Sequence, residues 1–192
     1  MESVTFKEIK DKAVCLNSID PEDTYHKSYF YFVNYFSDKK VISEEDLVIG
    51  SNFAYGWMPT ILNFKSDDFS LAVKILNKAK SQERVSSVDI SILKGLINNS
   101  LVGVSKLLHF LNPEVYAIWD SRVCNFLTGK SYQYTVDNID RFWSYLDLCK
   151  RITKDKRFAN IHDNFIRNIG YQVSPMRTIE QIMFINSGNP IR

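Results

Sequence analysis

Cysteine, histidine and long apolar runs are all scarce in this chain of 192 residues. It has three cysteines without a Cys-x-x-Cys spacing, and three histidines without a spacing typical of metal ligands. These shortages argue against a disulfide framework and a zinc site, so we expect reduced thiols, a cytoplasmic protein and no metal or other cofactor. No apolar run approaches the roughly 20 residues of a membrane span, and the N-terminus lacks the apolar core of a signal peptide.

Charge is nearly balanced overall but is unevenly distributed along the chain. The formal net charge is +2. Residues 1–50 hold six Lys or Arg against ten Asp or Glu, whereas residues 51–192 hold eighteen against twelve. The positive later part is compatible with an anionic partner such as DNA, although solvated helix faces produce the same pattern.

Helical periodicity dominates the spacing of apolar residues, and no segment alternates apolar and polar residues over a full strand. Helix start signals lie at three places: Asp20-Pro21, Ser43 with Asp46, and Ser174-Pro175. Asp and Ser are preferred caps, and proline is favoured in the first turn. The sequence therefore predicts an all-α protein, a helical bundle of about eight to ten helices.

The segment from Ile90 to Leu127 contains the most specific pattern. An apolar helix is followed by Leu-Val-Gly-Val-Ser at residues 101–105, and a second helix is predicted to begin near Ser105. An apolar run at residues 115–119 comes next, and Asp120 then opens another helix. The start of a helix leaves backbone N–H groups unpaired, and such donors can bind a phosphate without reading sequence.

This arrangement resembles the helix-hairpin-helix DNA glycosylases, whose hairpin usually reads Leu-Pro-Gly-Val-Gly and precedes a pattern like Val-Asp-Thr-His-Val. Three hairpin positions match and two differ: Leu101, Gly103 and Val104 match, whereas Val102 and Ser105 replace the proline and the second glycine. Within residues 118–123, Asp120 matches the aspartate and Arg122 departs from the histidine. The resemblance covers about a fifth of the chain.

The resemblance implies a DNA glycosylase that hydrolyses the N-glycosidic bond of a damaged or modified base flipped from double-stranded DNA, in repair or in anti-phage defence. Asp120 would stabilise the positive charge that develops on the sugar and activate water. Bifunctional members carry a Schiff-base lysine where this chain has Leu107, one residue after Lys106. A monofunctional enzyme is therefore expected, without the four-cysteine iron–sulfur site of some relatives.

Two sets of residues are candidates for contacts with DNA. The resemblance implies that phosphate is bound by the hairpin and the residues near it: Gly103, Val104, Ser105, Lys106 and Arg122. The flipped base would lie among aromatic and amide side chains: Asn52, Tyr55, Trp57 and Trp119. A structural role is the alternative for each set. The hairpin residues can form a plain turn between helices, and aromatic residues at a helix end can pack into the core.

The resemblance also implies two lobes. Residues 66–130 would carry the hairpin and Asp120, and residues 1–65 with 131–192 would form the other lobe. Two further functions remain open. One is a non-enzymatic helix-hairpin-helix DNA-binding module, and the other is a helical protein-interaction domain in which Asp120 only caps its helix. A monomer that binds double-stranded DNA and no membrane is the expected state.

Overall fold

The computed structural model describes residues 4–58, 60–81 and 84–188. Within these ranges the chain forms eleven α-helices and one 3-10 helix, and its one β-type pairing is an isolated bridge between Phe64 and Ile97. The prediction of an all-α protein is confirmed. None of the helices in the described ranges has both the length and the apolar character that crossing a membrane requires.

The α-helices, numbered along the chain, are α1 (Phe6–Lys12), α2 (Thr24–Ser37), α3 (Glu44–Gly56), α4 (Ser70–Lys80), α5 (Ser87–Leu96), α6 (Leu101–Leu111), α7 (Ser121–Thr128), α8 (Gln133–Val136), α9 (Ile139–Thr153), α10 (Phe158–Ile169) and α11 (Pro175–Ile185). The 3-10 helix, Ala13–Ser18, continues α1.

Two of the three predicted helix starts are confirmed. Ser43 and Asp46 form a reciprocal capping box at α3, and Ser174 caps α11. Helix α2 begins at Thr24 rather than at Pro21, and Asp23 is its cap. The difference has a local reason, because the amide of Asp23 donates to the carbonyl of Asp20 and closes a turn before the helix.

Two helices organise the packing of the others. Every residue of α6 except Val102 is buried, and α2, α3, α4 and α5 pack on it. Helix α11 is the centre of a second group of helices. It contacts α1, the 3-10 helix, α7, α9 and α10. Some of these contacts join the two predicted lobes, since α2 and α3 pack on α6 and α7 packs on α11, and the division into lobes stays a prediction.

The turn between α5 and α6 lies earlier than predicted. Helix α6 begins at Leu101, so Leu-Val-Gly-Val-Ser forms its first turns instead of the hairpin. The turn contains Asn98 and Asn99 at positive φ angles of 54° and 52°, which asparagine tolerates better than most residues. Gly103 is needed for close packing, because a Cβ atom there would lie 2.9 Å from the ring of Tyr55.

Candidate active site

A cleft of about 500 Å³ opens between the α6 group and the α11 group of helices. Its walls come from the end of the 3-10 helix, the starts of α2 and α7, the end of α3, and one face each of α6 and α11. The volume lies in the usual range of small-molecule sites. The cleft brings together residues that lie far apart in the sequence, among them Tyr25, Lys106, Asp120 and Gln181.

Asp120 reaches the cleft from the N-cap position of α7. Its Oδ1 atom accepts a hydrogen bond of 2.9 Å from the amide of Val123. Trp119, directly before it, is fully buried, so the carboxylate is held from both sides. Burial raises the pKa of Asp120, and the amides of Val123 and Arg122 and the charge of Lys106 oppose this rise. Asp120 is therefore both a helix cap and a wall of the cleft.

Lys106 shares the cleft with Asp120. The residue is 7% exposed, and its Nζ atom donates to the carbonyl of Trp57 at 3.2 Å. Burial lowers the pKa of Lys106, while the charges of Asp120 and Glu180 raise it. Leu107 instead packs in the core, where its Cδ1 atom would lie 2.8 Å from a Cβ atom added at Gly50. The side chain that α6 presents to the cleft is therefore that of Lys106 and not that of Leu107, which is the position of the Schiff-base lysine in bifunctional members.

Helix α11 contributes three buried polar side chains that the sequence analysis missed. Arg177 donates to Glu180, and its guanidinium lies 4.6 Å from the ring centroid of Tyr29. Burial raises the pKa of Glu180, and the charge of Arg177 opposes this rise. Gln181 donates to Glu180 at 3.2 Å. A signal was available, because these residues are spaced at i, i+3 and i+4 on an otherwise largely apolar helix.

The start of α2 adds an aromatic ring and an imidazole that were also missed. Tyr25 is 56% exposed, and its ring packs edge-on against Trp57 with centroids 5.7 Å apart. Burial and the charge of Arg177 lower the pKa of His26, which therefore remains neutral at pH 7. Aromatic residues at the mouth of a cleft offer a surface on which a planar ligand can stack.

One of the four residues predicted to form a base pocket lies in the cleft, and this is Trp57. Asn52 is exposed, whereas Tyr55 and Trp119 are buried. All three donate to backbone carbonyls of the protein, at 2.8, 3.1 and 2.6 Å respectively. Their donor groups are therefore used within the fold, and Tyr25 accompanies Trp57 in the cleft instead.

The hairpin residues predicted to contact phosphate are also bonded within the protein. Gly103, Val104 and Ser105 are buried in α6. The amide of Gly103 donates to Oγ of Ser100 at 3.1 Å, and the hydroxyl of Ser105 accepts from the amide of Trp119 at 3.0 Å. The amide of Leu101 donates to the Asp137 carboxylate at 3.3 Å. A carboxylate of the protein thus lies at the first amide of α6, and phosphate binding by this helix stays a prediction.

Arg122 and Lys106 are the two predicted phosphate-binding residues that do line the cleft. Nε of Arg122 donates to Oγ of Ser187 at 3.2 Å, and its guanidinium lies 4.2 Å from the ring centroid of Phe184. These contacts anchor the side chain at the edge of the cleft. Two cationic side chains therefore share the cleft with Asp120.

The described residues contain no group of three His, Cys, Asp or Glu side chains that could hold a metal ion. No protein-family model, curated protein or solved structure matches the chain. The cleft and the side chains that line it are therefore the features of the molecule that bear on its function.

Proposed function

We propose that the protein is a DNA glycosylase that hydrolyses the N-glycosidic bond of a base flipped from double-stranded DNA. One observation carries the proposal: the carboxylate of Asp120 is fixed at the start of α7 and lines a cleft of about 500 Å³. The same cleft offers aromatic rings for a base and cations for a sugar-phosphate chain. Base excision needs this combination, because the target nucleotide must leave the duplex and enter a pocket.

Asp120 would act on the sugar. As the bond between C1′ and the base breaks, its electron pair leaves with the base and positive charge develops on the sugar. An ionised carboxylate beside C1′ stabilises that charge. Asp120 would then accept a proton from the attacking water, whose oxygen forms the new bond to C1′. The hydrogen bond from Val123 holds the carboxylate in one orientation, which avoids reorganisation during the reaction.

Trp57 and Tyr25 would hold the flipped base, because both rings line the cleft and Tyr25 is largely exposed at its mouth. Stacking on an aromatic ring replaces the stacking that a base loses when it leaves the duplex. Arg122 and Lys106 would attract the phosphates next to the extruded sugar. In this arrangement the cleft itself supplies the cations that the hairpin of α5 and α6 does not.

A second candidate is base excision followed by strand cleavage. The observation in its favour is the position of Lys106, a buried amine with a lowered pKa in the same cleft as Asp120. The uncharged form of this amine is a nucleophile that can displace the base from C1′, the electron pair of the broken bond leaving with the base. Loss of a proton from the nitrogen and opening of the sugar ring at the C1′–O4′ bond then give an imine. Borohydride reduces that imine to a stable amine, so treatment during turnover would link protein to DNA if Lys106 reacts, and Lys106→Gln would not be linked.

The experiment that tests the proposal is base release from a set of duplexes that carry alkylated, oxidised, deaminated, mismatched or phage-type modified bases. Alkali then breaks the strand at each abasic site. We expect cleavage with at least one duplex and at least a hundredfold slower release by Asp120→Asn. Asparagine is also a good N-cap, so α7 is kept. Asp68→Asn is the matched control, because the exposed Asp68 carboxylate also accepts from a backbone amide, that of Ser70.

Three results would contradict the proposal. Full activity of Asp120→Asn would exclude a catalytic role for the Asp120 carboxylate. Salt-dependent DNA binding without release of any base would favour a DNA-binding module. A protein that does not bind DNA at moderate salt would instead be a helical interaction domain, with Asp120 as a plain cap.

A further inference from the structure

His26 is a half-buried imidazole in the wall of the cleft. It follows Tyr25 in the first turn of α2 and lines the same cleft as Asp120. Its backbone is held on both sides, because the amide of His26 donates to the carbonyl of Asp23 at 3.0 Å and the hydroxyl of Tyr171 donates to the carbonyl of His26 at 2.9 Å. The imidazole is therefore attached to a fixed part of the chain.

Neither ring nitrogen of His26 is bonded within the protein. Among the described residues, no group donates to or accepts from Nδ1 or Nε2 of this ring, whereas His109 and His162 each form a hydrogen bond through theirs. The tautomer of a histidine is set by the hydrogen bond that one of its nitrogens makes. For His26 this choice is left to the ligand, so either nitrogen can present an N–H group.

Most of the other N–H donors in the cleft have a partner within the protein. The bonded pairs are Lys106 with the carbonyl of Trp57, Arg122 with Ser187, Arg177 with Glu180, and Gln181 with Glu180. A ligand can bond the imidazole of His26 without displacing any such partner. A donor that needs no rearrangement before it is used is what an active site requires.

The surroundings of His26 keep its ring uncharged. Burial and the charge of Arg177, which also lines the cleft, lower the pKa of His26, and the weaker effects of Asp23 and Asp20 oppose them. A neutral imidazole still carries one N–H group. The ring can therefore donate a hydrogen bond at neutral pH without first taking up a proton.

Base excision has a use for such a donor on the side of the base. When the bond from C1′ breaks, its electron pair leaves with the base, and a base that was uncharged becomes an anion. A hydrogen-bond donor aimed at the growing negative charge stabilises the transition state. Asp120 cannot provide this donor, because an ionised carboxylate only accepts hydrogen bonds.

We propose that His26 is a second catalytic residue, which donates a hydrogen bond from its ring to the base as the base departs. The inference rests on the proposed glycosylase function. Tyr25 and Trp57, the two rings proposed to hold the base, line the same cleft as His26. The departed base anion takes up a proton from solvent, and Asp120 returns to solvent the proton that it accepted from the attacking water, so the reaction balances.

The dependence of base release on the leaving base tests this role. Rates are measured with the full chain for a base that the wild-type protein releases, and for analogues of that base whose ring substituents stabilise its anion. In His26→Phe, which keeps a ring without an N–H group, we expect release of the unsubstituted base to be about a hundredfold slower. The loss should shrink as the anion becomes more stable. His26→Gln, which keeps an N–H donor, should recover most of the rate.

His162→Phe is the matched control, because the imidazole of His162 is also half-buried but lies outside the cleft. This variant should keep the wild-type rate and the wild-type dependence on the leaving base. Urea denaturation of each variant gives its folded fraction, by which the rates are corrected. A purely structural role of His26 would slow the release of all analogues by the same factor.

Three results would overturn the inference: equal rates for His26→Phe and the wild type, the same loss for every analogue, or a rate of His26→Gln as low as that of His26→Phe. If His26→Phe does not fold, His26→Met replaces it as the variant without a donor. Base release that does not depend on His26 would remove this donor and keep the glycosylase. No base release from any duplex would remove both.

Discussion

Asp137 and Asp120 are two of the carboxylates that accept a hydrogen bond from an amide at the start of a helix, and each has a lysine nearby. Asp137 accepts from the amide of Leu101 at 3.3 Å and from Lys94 at 2.6 Å. Asp120 accepts from the amide of Val123 at 2.9 Å and shares a cleft with Lys106. In the first pair the lysine and the carboxylate bond each other directly, whereas the second pair adjoins a cavity. A carboxylate at a helix start is thus a common structural element, and the cavity distinguishes the candidate site.

The polar side chains at the start of α6 and those in the cleft differ in their surroundings. At the start of α6, Lys94, Asp137 and Ser100 bind one another or the amides of the helix. In the cleft, burial shifts the pKa values of Lys106 and Asp120. Shifted pKa values in a cleft are typical of functional sites. Substitutions at both places can show whether this difference governs activity.

The largest effect is expected at the floor of the cleft. Arg177→Met leaves the carboxylate of Glu180, which is 1% exposed, without its cation. Removing one partner of a buried ion pair destabilises a protein by about 3–5 kcal/mol. Urea denaturation should show a loss of this size in the free energy of unfolding. The double variant Arg177→Met with Glu180→Gln should recover part of it, and a single variant as stable as the wild type would contradict the pairing.

The next effect concerns the reason for a glycine at position 103. Gly103→Ala places a Cβ atom 2.9 Å from the ring of Tyr55, and overpacking of this kind destabilises by about 1–3 kcal/mol. Thermal or urea unfolding measures the change. Because the amides of Leu101 and Gly103 are already bonded to Asp137 and Ser100, we expect the slope of DNA affinity against salt to stay the same. A reduced salt slope in Gly103→Ala would show that this turn does bind the DNA backbone.

The pH dependence of base release is expected to follow Asp120. Its ordinary pKa is 3.8, and burial raises it, so the ionised form is lost at a higher pH than for an exposed aspartate. The rate should fall about tenfold for each pH unit below the raised pKa. Unfolding linked to this group does not explain such a loss. A raised pKa stabilises the fold below pH 3.8, and that contribution disappears as the pH rises through the raised value.

Base release measured from pH 4 to pH 8 tests this expectation, and the residual activity of Asp120→Asn serves as the control. The residual rate of this variant should not fall in the same way as the pH is lowered. A wild-type rate that stays constant down to the ordinary pKa of an aspartate would mean that another group carries the proton.

The smallest effect is expected at the ion pair of Lys94 and Asp137. Lys94→Met removes the cation beside Asp137, whose side chain is 31% exposed and can be solvated by water. We expect a loss of about 1 kcal/mol in the free energy of unfolding and no change in base release. If Lys94→Met reduced base release as strongly as Asp120→Asn, the two carboxylates would be functionally alike, and the distinction drawn from the cavity would fail.

Much of the local structure could be predicted from short-range chemistry. The capping box of Ser43 and Asp46, the start at Ser174 and the cap at Asp120 all depend on residues within one helical turn, so the sequence contains the whole signal. The start of α6 was predicted four residues late. Glycine at position 103 suggested a turn, whereas the structure needs it for packing against Tyr55, which is far away in the sequence.

The sequence by itself determined that the chain is all helical and that Asp120 caps a helix directly after a buried segment. Only the tertiary structure decided which polar residues meet. Lys106, rather than Leu107, faces the cleft because the packing of α6 against Gly50 and Tyr55 sets the rotation of that helix. Tyr25 and Gln181 join Asp120 because α2 and α11 pack on different helix groups and meet at the cleft, a long-range arrangement that no local pattern specifies.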